Sequence, residues 1–223
     1  MKAEYLFFNA IIILFPLIAK IFHVKLLLPR FLTTVLAITI SAVPFLLFDN
    51  QVTGYFWTFN SKYILGLHLG NLPIEEILFF FTVPFSCLFL WVNWKQKFKQ
   101  KNNKIYSLIP YILLTLSLLG TLYFLYFGKY YTASVFCMVI LVILIDIYLK
   151  VKLLAHGFFL VYLCVINIFT LVFNFYLTAR PIVLYDARYK IELMVFTIPI
   201  EDFIFGLALI TLVSILYEKL DFS

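Results

Sequence analysis

The sequence is poor in charge, glycine and cysteine for a chain of 223 residues. Only 13 % of its residues are charged, and it has 7 glycines and 3 cysteines, whereas 65 % of the residues are hydrophobic and 20 % are aromatic. These proportions exclude an ordinary soluble domain and are typical of an integral membrane protein. The glycines form no nucleotide-binding loop, so no flavin, nicotinamide or other cofactor is expected.

The cysteines and histidines lack the spacing of a disulfide framework or a metal site. Cys87, Cys137 and Cys164 lie in separate apolar runs, and the 3 histidines have no ligand spacing. We therefore expect no bound metal. The net charge of +6 comes without a basic polar domain, so we expect membrane lipid rather than nucleic acid as the surrounding partner.

Apolar runs long enough to cross a membrane occur seven times. They cover residues 4–22, 31–48, 72–92, 106–127, 131–149, 157–177 and 194–217. The sequence therefore predicts an all-α, polytopic membrane protein with about seven transmembrane helices and a single membrane domain over residues 1–223.

Basic residues concentrate in alternate loops between these runs. Eleven of the 17 Lys and Arg residues fall on one predicted side, including Lys95, Lys97, Lys99, Lys101 and Lys104 of a single loop. The positive-inside rule then places the N-terminus outside and the C-terminus in the cytoplasm. We expect a multi-pass protein of a bacterial cytoplasmic membrane.

A gapless offset of 126 residues aligns the two halves of the chain. Residues 59–79 match residues 185–205 with identities at Tyr63/Tyr189, Leu67/Leu193, Pro73/Pro199, Ile74/Ile200, Glu75/Glu201 and Phe79/Phe205. This predicts repeat one over 1–95, a joining helix over 105–128 and repeat two over 129–223. Because the joining helix is single, the repeats are expected to be parallel, about an axis along the membrane normal.

Each repeat carries an acidic pair after a proline, inside apolar sequence. The pairs are Glu75 with Glu76, and Glu201 with Asp202. Acids at membrane depth indicate function, so all four are candidate catalytic residues. Acids at a helix start also stabilise the positive end of the helix dipole, and this structural alternative stays open.

Adjacent helical residues point about 100° apart, so the two members of each pair have different surroundings. Because Glu75 and Glu201 are identical in both copies, we expect them to face a shared cavity. Glu76 and Asp202 are expected to orient them or to act as the second member of a proton couple. Neighbouring carboxyl groups resist double ionisation, so one of them can hold a proton while another is charged.

Aromatic and polar side chains cluster around the acidic pairs. The aromatic candidates for substrate binding are Trp57, Tyr63, Phe79, Phe80, Tyr189 and Phe205. Aromatic faces beside an acid suit a carbocation reaction, although such spacing is also common in simple packing. The supporting polar candidates are Asn60, Asp186 and Arg188, for which a solvated loop is an equal alternative.

These residues resemble a known family. The stretch from Asp49 to Phe81, with Trp57 and Leu-Pro-Ile-Glu-Glu-Ile-Leu-Phe-Phe, resembles the membrane-embedded, heterodimer-type carotenoid cyclases. The second half, with Arg180-Pro181-Ile-Val-Leu-Tyr185-Asp186 and Ile-Pro-Ile-Glu-Asp-Phe, looks like the other subunit. The resemblance covers nearly the whole chain and implies that both subunits are fused.

The resemblance implies a lycopene β-cyclase-like enzyme of the isomerase or intramolecular lyase type, acting without redox change and without bound flavin. An acid would protonate the end of linear lycopene, the cation would close a ring, and proton loss would give β-ionone rings, in γ- or β-carotene. In that family's motif, Glu75 and Glu201 correspond to the leading Glu, and Glu76 and Asp202 to the second acid. Other carotenoid-pathway enzymes are possible partners, and a proton-coupled membrane transporter is the alternative function.

Overall fold

The computed structural model describes residues 2–23, 25–97 and 106–221, which form seven long helices. These are α1 (Glu4–Phe22), α2 (Phe31–Val52), α3 (Ile74–Lys97), α4 (Ile109–Tyr126), α5 (Tyr130–Leu149), α6 (Gly157–Ala179) and α7 (Ile200–Asp221). All seven are long and apolar enough to cross a membrane. The predicted all-α, multi-pass fold is confirmed. Which side of the membrane each end faces stays a prediction, and Lys99, Lys101 and Lys104 of the basic loop lie outside the described residues.

Six short strands lie on the side of the bundle where α3 and α7 begin. They are β1 (Trp57–Phe59), β2 (His68–Leu69), β3 (Leu72–Pro73), β4 (Val183–Tyr185), β5 (Met194–Val195) and β6 (Ile198–Pro199). β1 and β4 are equivalent in the repeat, since 57 plus 126 is 183, and they pair antiparallel with Thr58 opposite its own equivalent Leu184. A strand that pairs with its own copy in this way places a pseudo-two-fold axis between Thr58 and Leu184.

The other four strands form two hairpins, β2–β3 and β5–β6, that each lead directly into an acid-bearing helix. The hairpins explain why the predicted spans 72–92 and 194–217 start too early: the apolar residues before each acidic pair are hairpin, not helix. The first turn residue has positive φ in both, 64° at Gly70 and 55° at Phe196. Glycine adopts this conformation freely and phenylalanine does not.

The two repeats pack around α3 and α7. In α7, 61 % of the membrane-crossing window is buried, against 17 % in the joining helix α4, which covers the outside of α5. The packing departs from two-fold symmetry at one place: α2 packs closely along α7, but its equivalent α6 makes far fewer contacts with α3. Space therefore remains between α6 and α3, on one side of the axis only.

The ends of α3 and α7 opposite the hairpins are joined by polar contacts. The indole nitrogen of Trp91 donates to Glu218 at 2.7 Å, and the Lys95 ammonium group lies 2.7 Å from the same carboxylate oxygen. The Glu218 side chain is only 8 % exposed. These contacts connect the repeats at the end of the bundle away from the acidic pairs.

Candidate functional site

A cavity of about 240 Å³ occupies the space beneath α6 and is lined by both repeats. On α3 its lining runs from Glu76 to Leu90, fifteen residues whose ends are roughly 21 Å apart along the helix. Carboxyl groups lie at the hairpin end of the cavity, and the remaining lining is mainly apolar and aromatic. The cavity is therefore elongated and mainly apolar, with carboxyl groups at one end.

Glu76 and Asp202 are the motif acids that line the cavity. Tyr5 donates to Glu76 Oε2 at 2.5 Å, and the equivalent Tyr131 donates to Asp202 Oδ1 at 2.8 Å. The helices α1 and α5 thus position the two carboxyl groups by the same contact in each repeat. Both acids are buried, with 9 % and 6 % of their surface exposed.

Glu75 and Glu201 face away from the cavity, so their expected orientation was wrong. Each turns back toward the loop before its own helix, where Leu65 N–H donates to Glu75 Oε1 at 2.6 Å and Ile191 N–H donates to Glu201 Oε1 at 2.9 Å. The Glu75 and Glu201 side chains are fully buried, and a buried carboxyl group needs hydrogen-bond donors, which these backbone amides supply. The second acid of each pair lies about 100° further round its helix and reaches the cavity.

Asp202 has more hydrogen-bond donors than Glu76. Besides Tyr131, it accepts from Tyr185 at 2.7 Å and from Asn174 at 3.4 Å. The residue equivalent to Tyr185 in the first repeat is Phe59, which has no hydroxyl group, so the two sites are not chemically identical. Burial, followed by the nearby Asp202 carboxylate, raises the pKa of Tyr185 well above its usual value, which keeps it a neutral donor.

Four of the six predicted aromatic residues line the cavity, and two do not. Trp57, Phe79, Phe80 and Phe205 are in the lining. Tyr63 and Tyr189 lie outside it because their loops bend away, and their backbone carbonyls instead accept from Tyr5 N and Tyr131 N at 3.1 and 2.9 Å. They therefore hold the first turns of α1 and α5, which carry the tyrosines of the site.

The predicted polar residues also lie outside the cavity and shape the loops. Asn60 Oδ1 accepts from Lys62 N–H at 3.1 Å, and Asp186 forms an exposed ion pair with Arg188 at 2.7 Å. Hydrogen bonds from Arg188 lower the pKa of Asp186 to about 2. The backbone amides of Asn60 and Asp186 extend the β1–β4 pairing at both ends.

Sequence reasoning missed Asp49 and Asn174 as site residues. Asp49 lies in the last turn of α2 and lines the cavity with 2 % of its surface exposed. The predicted span ended at residue 48, which left Asp49 in a loop. Tyr5 and Tyr131 carried a usable signal, because they are an identical polar pair at the 126-residue offset.

The cavity reaches the outer surface of the bundle between α1 and α6. Ile11 and Phe15 of α1 line it while being 63 % and 44 % exposed. Aromatic rings bridge the two helices on this side, with centroids 6.3 Å apart for Phe15 and Phe169 and 5.7 Å apart for Phe8 and Phe173. In a membrane this opening would face lipid rather than water.

The described parts of the chain hold no cluster of three His, Cys, Asp or Glu side chains that could bind a metal ion. The three cavity carboxyls are Asp49, Glu76 and Asp202, of which Glu76 and Asp202 accept hydrogen bonds from the tyrosines and the asparagine described above.

A family model for lycopene cyclase matches the chain twice, over residues 2–94 and 128–220. The chain belongs to the lycopene cyclase family. The two matches are themselves offset by 126 residues at both ends, since 128 minus 2 and 220 minus 94 both give 126. Neither a curated protein nor a solved structure matches it.

Membership makes this cyclase a carotenoid-cyclising enzyme that acts on a polyene, with both family segments in one chain. Each segment supplies one motif carboxyl to the same cavity: Glu76 comes from the first and Asp202 from the second.

Proposed function

We propose that the cyclase converts the acyclic ends of lycopene into β-rings, with no net redox change, as an intramolecular lyase or isomerase. The observation that carries this proposal is the cavity itself, in which carboxyl groups from both repeats lie at one end of an elongated apolar slot. A linear polyene with one end beside the acids would fit this shape. The aromatic lining would keep water from the reacting end.

The proposed reaction moves one proton in and one proton out. A carboxyl group of the cavity protonates the terminal double bond, which forms a C–H bond and a tertiary cation. An internal double bond attacks that cation and forms the ring C–C bond. A carboxylate of the cavity then removes a proton from the ring carbon next to the new cation, which creates the ring double bond. The net charge of the site is restored, with its proton now on the second carboxyl group.

Asp202 is suited to remain ionised throughout this reaction. Three hydrogen-bond donors point at it, and donors to a carboxylate favour its charged form. A fixed negative charge in a water-poor cavity stabilises a developing cation most effectively. The rings of Trp57 and Tyr131, with centroids 5.1 Å apart, add negative π-faces beside it.

Glu76 is suited to accept the ring proton. One oxygen takes the Tyr5 hydrogen bond, and among the described residues no donor reaches Oε1. Glu75 and Glu201 act on the site indirectly, by fixing the loop and the first helical turn through Leu65 and Ile191. We infer that they are positioning residues.

The substrate would enter from the bilayer through the opening between α1 and α6. Lycopene is soluble in lipid and not in water, and Ile11 and Phe15 join the cavity to the lipid-facing surface. We place the enzyme in a bacterial cytoplasmic membrane, with lipid and other carotenoid-pathway enzymes around it.

The test is expression in lycopene-accumulating bacteria followed by pigment chromatography. We expect cyclic carotenoid from the wild type and at least about a 100-fold lower rate from Glu76→Gln and Asp202→Asn, the range of lost acid-base catalysis. Glu75→Gln is the matched control, because its amide oxygen can still accept from Leu65 N–H, and it should retain a rate within about tenfold. Persistence of lycopene alone with the wild type would refute the function.

The proton-coupled transporter predicts a different outcome in the same cells. It would leave lycopene uncyclised, and reconstituted vesicles would show acid-dependent solute flux. Family membership and the mainly apolar cavity favour the cyclase.

A further inference from the structure

The three carboxyl groups of the cavity differ in how many hydrogen-bond donors they have. Asp202 has three, Glu76 has one, and no hydrogen bond of the described residues reaches the side chain of Asp49. Oδ1 of Asp49 is fully buried without a partner. A buried carboxyl group with no donor is stable in its neutral form and costly in its charged form.

The position of Asp49 in its helix favours the same state. It lies in the last turn of α2, which ends at Val52, and this is the negative end of the helix dipole. Asp202 and Glu76 line the same cavity and add further negative charge when ionised. The other ionisable groups of the lining are Tyr5, Cys87, Tyr131 and Tyr185, and none is a cation.

Asp49 does not belong to the duplicated machinery. Its equivalent in the second repeat is Phe175, since 49 plus 126 is 175. Phe175 is 43 % exposed, whereas Asp49 is 2 % exposed and lines the cavity, so the buried carboxyl group at this place is a feature of the first repeat alone.

We propose that Asp49 holds the mobile proton of the site and is the acid that starts ring closure. This assignment rests on the proposed cyclase function. Protonated Asp49 transfers its proton to the terminal double bond and becomes a carboxylate beside the cation. After the ring C–C bond forms, Glu76 takes the proton from the ring. Glu76 then returns that proton to Asp49, the group with no donors to stabilise its charge, and the site is ready for another turnover.

Two substitutions at Asp49 test the assignment in membranes supplied with lycopene. Asp49→Asn keeps the shape but removes the proton, and it should lower the cyclisation rate at least about 100-fold. Asp49→Ala leaves space in the lining, so added formic acid should restore at least tenfold of the lost rate, whereas formamide, which has a similar shape but no acidic proton, should restore none. A merely structural role of Asp49 would not produce rescue by the acid alone.

Ser41→Ala is the matched control. Ser41 is on the same helix and fully buried, and its hydroxyl oxygen also lacks a partner, but it does not line the cavity. Its rate should stay within about twofold of the wild type, with no effect of formic acid.

An infrared difference spectrum gives a measurement that does not depend on turnover. The wild type minus Asp49→Asn should contain the C=O stretch of a protonated carboxyl group, shifted in D₂O. A wild type that makes no cyclic product refutes the proposed function. If the wild type does cyclise lycopene, three results would each refute the role of Asp49 without refuting the function. They are an active Asp49→Asn variant, no rescue of Asp49→Ala by formic acid, and no protonated-carboxyl band in the difference spectrum.

Discussion

Tyr185→Phe removes the hydroxyl group that is one of the three donors to Asp202 and leaves the aromatic ring in place. In the structure the Tyr185 hydroxyl lies 2.7 Å from Asp202 Oδ2, next to the longer 3.4 Å bond from Asn174. The equivalent position in the first repeat is already phenylalanine, at Phe59, so we expect the substitution to fold normally.

The expected loss follows from the strength of the hydrogen bond. A hydrogen bond to a charged group contributes about 1.5–3 kcal/mol. If this bond is what keeps Asp202 ionised, its loss lets the carboxyl group take up a proton before the reaction and removes the charge that stabilises the cation. Each 1.36 kcal/mol corresponds to about tenfold in that equilibrium and therefore in rate. Tyr185→Phe should therefore slow cyclisation by about 10- to 150-fold.

The assay is the initial rate of lycopene consumption in membranes, with cyclic products separated by chromatography and protein quantified by immunoblot. Tyr130→Phe is the control, because Tyr130 adjoins Tyr131 but is 48 % exposed and does not line the cavity. A Tyr185→Phe enzyme within about twofold of the wild-type rate would refute the reasoning that Asp202 acts as a charged, donor-stabilised group.

Three further predictions concern the cavity opening, the end of the bundle at Glu218 and the turns of the two hairpins. Ile11→Trp should slow turnover at low lycopene concentration by narrowing the entrance, with little change at saturation; an equal loss at both concentrations would place the fault in the chemistry instead. Glu218→Leu should remove the acceptor of Trp91 and of the partly exposed Lys95 and lower stability by about 1.5–3 kcal/mol, read as a lower thermal midpoint in detergent with unchanged products. Phe196→Gly should raise the midpoint, since relief of positive φ is worth roughly 1 kcal/mol, whereas Gly70→Ala should lower it.

The fold was largely predictable because its strongest signals are long and periodic. Seven apolar runs and a gapless repeat fix the number of helices and the parallel arrangement of the repeats, and these depend only on hydrophobicity and identity. The hairpins were not predictable, since Met194 to Pro199 is as apolar as the helix it precedes. Hydrophobicity reports burial in the membrane and does not distinguish a buried hairpin from a buried helix.

The site was predictable as a location but not as an orientation. Both acidic pairs were found, but which member faces the cavity depends on where the loop amides of Leu65 and Ile191 lie. The positions of those amides are set by tertiary folding and cannot be read from the composition of the sequence. The identity of Glu75 and Glu201 in the two repeats goes with a contact that both make, a hydrogen bond from the backbone amide of the preceding loop.

The contacts that the two repeats share and the positions at which they differ have different roles in this cyclase. What the repeats share is support: Tyr5 and Tyr131 hold the second acids, and loop amides hold the first. Two groups that line the cavity differ between the repeats: Tyr185 is equivalent to Phe59, and Asp49 is equivalent to Phe175. Because two identical half-sites would bind their protons equally, a directed transfer from one carboxyl to another requires such differences. The cavity positions whose residues differ between the two repeats are therefore the ones to test for a role in proton transfer.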